Sequence, residues 1–368
     1  MLTPIIRPKP MNKRILYCFL LLITIISCQK ESIDEIVNQT NDKLWIQDTK
    51  LTGENAILLN SYASDNTLSI SGINSWITID TNNVYEGWIN FGNYLSNSIS
   101  KKIPITDDLF AWYTDTVLIF NSTKQIFHDY LPAFRLSRFG SEVSKFGYWS
   151  INRKNECLSI SKSLHCLVPV TKKDYYPAFY LVKPNYYINS RNEVDVIAST
   201  ENAFIKKVDW YPSSTSIGNL YTAFDKFFVS MNDGFYGIDT IGNVKMLLDV
   251  PISQVLNRSD SLFAISYSGV VYFSNNEGEN WSSFCEISPD ISRLKWVSLD
   301  NSLIAHPYLS GGQLYIINVG NQSMTIDTLA SGGLKDKEIT SLSVFNSKVY
   351  VTTLSGLYYK DLNKLRKK

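Results

Sequence analysis

The chain has 368 residues, 44% of them hydrophobic and 19% charged, so it can bury one large core or two modest ones and is not a disordered polymer. Four of its 35 basic residues, Arg7, Lys9, Lys13 and Arg14, fall in the first 27 positions, which hold no acid, leaving 31 basic against 34 acidic residues in the rest. A body near −3 argues against nucleic-acid binding, which needs a basic surface to displace phosphate counterions. The 22 Tyr, 18 Phe and 8 Trp favour strands, because flat aromatic side chains pack well on a pleated surface.

The N-terminal stretch "MNKRILYCFLLLITIISCQKES" begins at Met11 and reads as a basic segment at Lys13 and Arg14, an apolar run from Ile15 to Ile26, and then Ser27-Cys28. The run is too short for a comfortable membrane span and fits the core of a secretory signal, with Met11 as the expected start. The "IISC" ending resembles the lipobox of bacterial lipoproteins, which implies that residues 1–27 are a signal peptide and that Cys28 carries lipid. The following "QKESIDE" resembles the acidic export tag of surface lipoproteins in Bacteroidetes. Together these resemblances imply an outer-membrane lipoprotein, periplasmic or surface-exposed, held to the membrane through Cys28. The polar composition of 28–42 predicts a flexible tether, with the folded body expected over 43–365 and a basic tail at 366–368.

Beyond the tether the chain is punctuated by hairpins. "DDLFAWYTDTVLIFN" from Asp107, "DKFFVSMNDGFYGID" from Asp225, "DSLFAISYSGVVYFS" from Asp260, "NSLIAHPYLSGGQLYII" from Asn301 and "NSKVYVTTLSGLYYKD" from Asn346 share one layout. Each opens with a turn residue, runs through an apolar strand, turns, and climbs a second strand holding an aromatic. Looser echoes begin at Asn66, Asn155 and Asn192, and the last four clear copies are spaced by 35, 41 and 45 residues. No stretch beyond the leader shows apolar residues at i, i+3, i+4 and i+7. A unit of about 40 residues holding a hairpin and further strand is the size of one β-propeller blade, and stacking blades radially covers the sheet faces that a lone blade leaves bare. The expected fold is all-β: a single propeller of seven blades, with six or eight as alternatives. A tandem of β-sandwiches is the rival architecture.

In "CLSISKSLHC" a two-residue turn at Ser161-Lys162 would set Cys157 opposite Cys166, within reach of a disulfide, against the alternative of two buried thiols. His128, His165 and His306 are scattered singly, no Cys/His spacing suits zinc, and no dinucleotide or phosphate-loop fingerprint occurs, so neither metal nor cofactor is expected. The aromatic stretches "DYYPAFY" and "NYYIN" between Asp174 and Asn189 are candidate contact surface. Four Asp-Ser/Thr-aliphatic tripeptides, at Asp115, Asp239, Asp260 and Asp327, resemble the O-glycosylation signal of Bacteroidetes envelope proteins; Asp-Thr is also ordinary turn chemistry.

After the Asp260 hairpin comes "SNNEGENW", Ser274 to Trp281. Asn276 offers a short acceptor for nearby amides, Gly278 permits positive φ, and Trp281 can pack across the hairpin. The stretch resembles the Asp-box (BNR repeat), Ser-x-Asp-x-Gly-x-Thr-Trp, with Ser274, Gly278 and Trp281 matching and Asn276 and Asn280 replacing Asp and Thr. Sialidases, other exo-glycosidases, sortilin-type receptors and photosystem-assembly propellers carry such boxes, where they mark the fold and not the activity. A sialidase would also need an arginine cluster, a Tyr/Glu pair and an Asp acid; Arg135 and Arg138 of "FRLSRFG" match that pattern poorly. Two functions follow as expectations. The first is a non-catalytic envelope propeller binding a polysaccharide or protein partner. The second is a glycoside hydrolase or lyase on the same scaffold, with catalytic residues that the sequence does not single out.

Overall fold

The computed structural model describes residues 44–51, 57–63, 66–72, 75–89, 99–102, 109–113, 116–120, 131–135, 159–161, 163–170, 178–183, 186–188, 194–196, 204–210, 212–213, 217–258, 260–299, 302–307, 311, 313–329 and 331–365. Within them the strands form seven four-stranded antiparallel sheets and one two-stranded hairpin. Five sheets are meanders in chain order, spanning 58–89, 99–135, 217–248, 252–286 and 295–329. A sixth spans 159–207, with the hairpin of Tyr186–Ile188 and Val194–Val196 inserted between its third and fourth strands. The seventh joins both ends of the body: Ile46–Gln47 pairs with Gly356–Asp361, which continues through Lys348–Thr353 to Ile339–Phe345.

First strands of successive sheets touch at five boundaries, Leu131–Arg135 of the second sheet meets the inserted strand Val194–Val196 of the third, and Ile339–Phe345 of the last touches Leu58–Ala63 of the first, so the sheets form a ring. The fold is a β-propeller. Its cores lie between neighbouring sheets, which explains why the second strands are apolar runs instead of strict alternations. In Lys226–Met231, Phe227 and Val229 pack with Leu167, Phe179 and Leu181 of the preceding sheet, while Phe228 packs with Ile252, Leu262 and Ala264 of the next. Side chains still alternate between faces, but both faces are covered.

The hairpins legible at Asn66, Asp107, Asp225, Asp260, Asn301 and Asn346 are the second and third strands of their sheets. The echo at Asn155 precedes only the short first strand Ser159–Ile160, and that sheet's second strand begins at Cys166. The echo at Asn192 falls on the inserted hairpin, which belongs to no four-stranded sheet.

The Cys157–Cys166 geometry differs from the expected one. The turn runs from Ser161 to His165, closed by Ser161 N–H to His165 O at 2.8 Å, and the register sets Ile160 opposite Cys166. Three residues between Ser161 and His165, in place of a two-residue turn, fit because Leu164 takes a positive φ of 63°. Cys157 lies outside the described residues; Cys166 is a free, fully buried thiol whose pKa burial pushes up to about 12. Among the described residues no helix is long and apolar enough to cross a membrane.

Candidate functional site

Five first strands carry the same irregularity near their beginnings. The pairing register skips one residue between Leu58 and Asn60, Ile99 and Lys101, Ile217 and Asn219, Ile252 and Gln254, and Ile339 and Ser341. Each is an aliphatic residue, a bulged residue and a polar residue in turn. A bulge bends the strand and re-aims the next side chain. Asn219 Nδ2 thereby reaches the Ser253 carbonyl of the following sheet at 2.8 Å. Gln254 likewise donates to the Leu294 carbonyl and accepts from Trp296 N–H at 2.9 Å, and the bulged Thr340 donates to the Leu58 carbonyl at 2.8 Å.

Three of these bulged ends, at Asn219, Ser253–Gln254 and Thr340–Ser341, line a cavity of 330 Å³. Its wall comes from the beginnings of the first strands of four successive sheets, with Tyr267 and His306 added where second strands finish. It therefore opens on the axial face of the ring, and its size sits at the lower end of the ~300–1,000 Å³ usual for small-ligand sites.

The wall mixes apolar surface with polar groups, and its charged groups are cations. Arg293 is exposed, Lys295 is half-buried and Tyr267 is 39% exposed, and no Asp or Glu is among the described lining residues. Asn219 Nδ2 spends one hydrogen on Ser253 O and the other on Tyr267 Oη at 3.3 Å, which leaves its Oδ1 as an acceptor. Tyr221 donates its hydroxyl to the same Ser253 carbonyl. His306 is buried opposite Lys295 in the ladder, with Nδ1 2.8 Å from the Pro307 carbonyl. A carbonyl can only accept, so Nδ1 carries the proton of the neutral ring and Nε2 keeps a lone pair. Burial pushes the His306 pKa down to about 4 against the pull of Pro307 O, and the Lys295 charge adds to the fall.

The Ser274–Trp281 turn sits at the opposite face, because it connects the third strand Val270–Ser274 to the fourth, Ser282–Glu286. Ser274 Oγ accepts from Gly278 N–H at 2.9 Å and donates to Asn276 Oδ1 at 3.0 Å, and that oxygen also accepts from Asn280 N–H at 3.1 Å. Trp281 Nε1–H donates to Gly278 O at 3.0 Å. The indole packs against a cluster shared by two sheets, with Leu262 and Ala264 of its own and, edge-on, Phe228 and Phe235 of the preceding one, ring centroids 6.2 and 5.7 Å away. Gly278 has φ +78°, and a Cβ there would lie 2.6 Å from the Phe228 ring. Glu279 pairs with Lys226 and, at 3.6 Å, with Lys245 of that same sheet.

Other candidates are dispersed. Asp239 of one tripeptide accepts N–H groups of Ile241 and Asn243 at 3.0 and 2.8 Å in a third-to-fourth-strand turn, and Asp80 does the same for Asn82 and Val84 at 2.9 and 2.7 Å. Phe179 and Tyr180 of the aromatic stretch are buried in the core and offer no contact surface. Arg135 ends the fourth strand of its sheet, and Cys28, Arg138, Tyr175 and Tyr176 lie outside the described residues. Among the described residues no group of three or more His, Cys, Asp or Glu side chains could hold a metal. Reading the sequence did not single out Asn219, Gln254, Tyr267, Arg293 or Lys295; the aliphatic-x-polar opening of the first strands was the available signal for Asn219 and Gln254 alone.

No protein-family model and no curated protein matches the chain. Among solved structures, a catalytically inactive virginiamycin B lyase from Staphylococcus aureus, crystallised with quinupristin, is 8% identical at a TM-score of 0.53 over 86% of this chain and 97% of that one. A streptogramin B lyase is 7% identical at 0.52, over 86% and 95%. PorZ, a surface component of the type-IX secretion system of Porphyromonas gingivalis, is 9% identical at 0.49; the match covers 87% of this chain and 38% of PorZ. At these identities the likeness is one of fold.

Proposed function

We propose that this chain is a cell-envelope lipoprotein, anchored through Cys28, whose propeller binds a polysaccharide in the axial cavity without transforming it. The observation that carries this reading is the cavity wall itself: fixed amide and hydroxyl groups and a half-exposed tyrosine, assembled from four sheets into a space of 330 Å³. Sugar rings are met by such a mixture of polar groups and aromatic faces, whereas a globular protein partner calls for a broad patch of about 800 Å² a side. The paired carboxylates of glycoside hydrolysis have no counterpart among the described lining residues, which favours binding over hydrolysis. The envelope address rests on the "IISC" junction.

A glycan array probed with the full chain, with product analysis of every retained glycan, tests the function. Retention of a polysaccharide with no new chain ends is expected; failure to retain any glycan, or release of shorter products, overturns it. Palmitate labelling that is lost in Cys28→Ala is the matching expectation for the anchor, and labelling that persists overturns it.

A further inference from the structure

The charged side chains among the described lining residues are of one sign. Arg293 and Lys295 stand two residues apart where the chain enters its first strand after the short helix Pro289–Ser292, and both line the space. Arg293 is exposed and has no ion-pair partner among the described residues. Lys295 sits close enough to His306 to lower its proton affinity, so its charge acts on the interior of the cavity. His306, held neutral by burial, adds a lone pair and no charge. Both positive side chains line the space and no Asp or Glu does among the described lining residues, so the wall favours an anion over a cation, and the planar Arg293 guanidinium matches the paired oxygens of an oxyanion. Tyr267, 39% exposed and positioned by Asn219, supplies a ring face beside the cations.

We infer that the axial cavity recognises an acidic saccharide, taking the oxyanion of a sugar carboxylate, sulfate or phosphate on Arg293 and Lys295 with the sugar ring over Tyr267. The inference rests on the polysaccharide-binding reading above and names the class of sugar. Partial exposure of the cations makes the attraction sensitive to salt.

The test is calorimetry on the full chain with three acidic probes, tetragalacturonate, a sulfated disaccharide and mannose 6-phosphate, each beside its neutral counterpart: the methyl ester, the desulfated disaccharide and mannose. At least one acidic probe is expected to bind 10-fold or more tightly than its counterpart, and the probe that does so identifies the oxyanion. That preference should weaken at higher salt and fall 10- to 100-fold in Arg293→Gln/Lys295→Gln, the range expected for lost charge-assisted hydrogen bonds. Glu279→Gln, on the opposite face, should keep it. An unchanged melting temperature of the double variant shows that folding is not the cause. Equal binding of acidic and neutral sugars, or a double variant that binds as the parent does, overturns the inference while leaving polysaccharide binding in place. Binding of none of the six sugars overturns the inference, and if the glycan array is also blank the binding reading falls with it.

Discussion

Trp281 meets Phe228 edge-on, with ring centroids 6.2 Å apart and planes at 90°, across the boundary between two sheets. The turn that delivers the indole is closed by its own side chains, so its geometry is set locally and then spent on the neighbour. Trp281 is half-buried, and Trp281→Ala should cost stability toward the lower end of the ~3–5 kcal/mol typical of removing a packed aromatic. Gly278→Ala faces both a positive φ and a Cβ 2.6 Å from the Phe228 ring, so its cost should exceed ~1 kcal/mol. Urea melts measure both. Ligand affinity per folded molecule should stay constant, because the turn is on the face opposite the cavity; a loss of binding at unchanged stability would make this turn a site.

Ring closure is a second place where distant residues depend on one another. Trp45, 3% exposed, packs with Ile304, Leu314, Leu334 and Tyr358, and its N–H donates to Gly332 O at 2.7 Å. The adjacent strand Ile46–Gln47 has only two paired residues, so the N-terminal side of the closing sheet is held largely by this indole and by Leu51, which is buried with Leu58, Leu68 and Tyr350. Trp45→Ala should lower stability by about 3–5 kcal/mol while the protein still unfolds in one transition. Two transitions, one resembling the parent, would show that the closing sheet does not couple the ring.

The all-β class was legible because the second strands are covered on both faces and so keep an apolar run that stands out, as in Phe227-Phe228-Val229. The eight echoes did not map one to one onto sheets because a two-stranded insertion such as 186–196 has the same local hairpin chemistry as a blade. The register around Cys166 was misplaced since Leu164 adopts a left-handed conformation that its side chain does not advertise. The cavity stayed hidden for a different reason. Asn219, Gln254, Tyr267, Arg293 and Lys295 are isolated polar residues in sequence, and only the bulges and the ring bring them to one space.

Asp225 ties its sheet to the one before it. Its Oδ1 accepts both the N–H and the Oγ–H of Ser163, at 2.7 and 2.8 Å. Burial works to raise the Asp225 pKa, but the Ser163 amide and the nearby hydroxyls outweigh it and hold the carboxyl below its ordinary value of 3.8. A depressed carboxylate contributes stability above 3.8 and loses it as pH falls through the lower folded value. Asp225→Asn should therefore lower stability at neutral pH and flatten the acid limb below about 4. A double-mutant cycle of Asp225→Ala with Ser163→Ala should return a coupling of about 1 kcal/mol; additive losses would show that the contact is structurally present and energetically idle.

His306 gives a separate pH window. Its folded pKa of about 4 lies below the ordinary 6.5, so as pH falls through 6.5 the unfolded chain takes up a proton that the folded protein refuses. Stability should decline from about 6.5 down to about 4 and stop declining through this group below that, where both states are protonated. The gap of roughly 2.5 pH units corresponds to a loss on the order of 3 kcal/mol. His306→Asn places an amide where Nδ1 now donates to Pro307 O, keeping that hydrogen bond without a titrating ring. The variant should be somewhat less stable than the parent at pH 7.5, through lost packing, and should show a shallower profile between 6.5 and 4, with the slope that remains coming from His165, whose pKa burial also lowers. Urea titrations at half-unit pH steps decide the matter. A parent profile already flat in that window, or a slope undiminished in His306→Asn, would mean that the imidazole titrates as an exposed one and that the inner wall of the cavity is wet at the position where the ring stands.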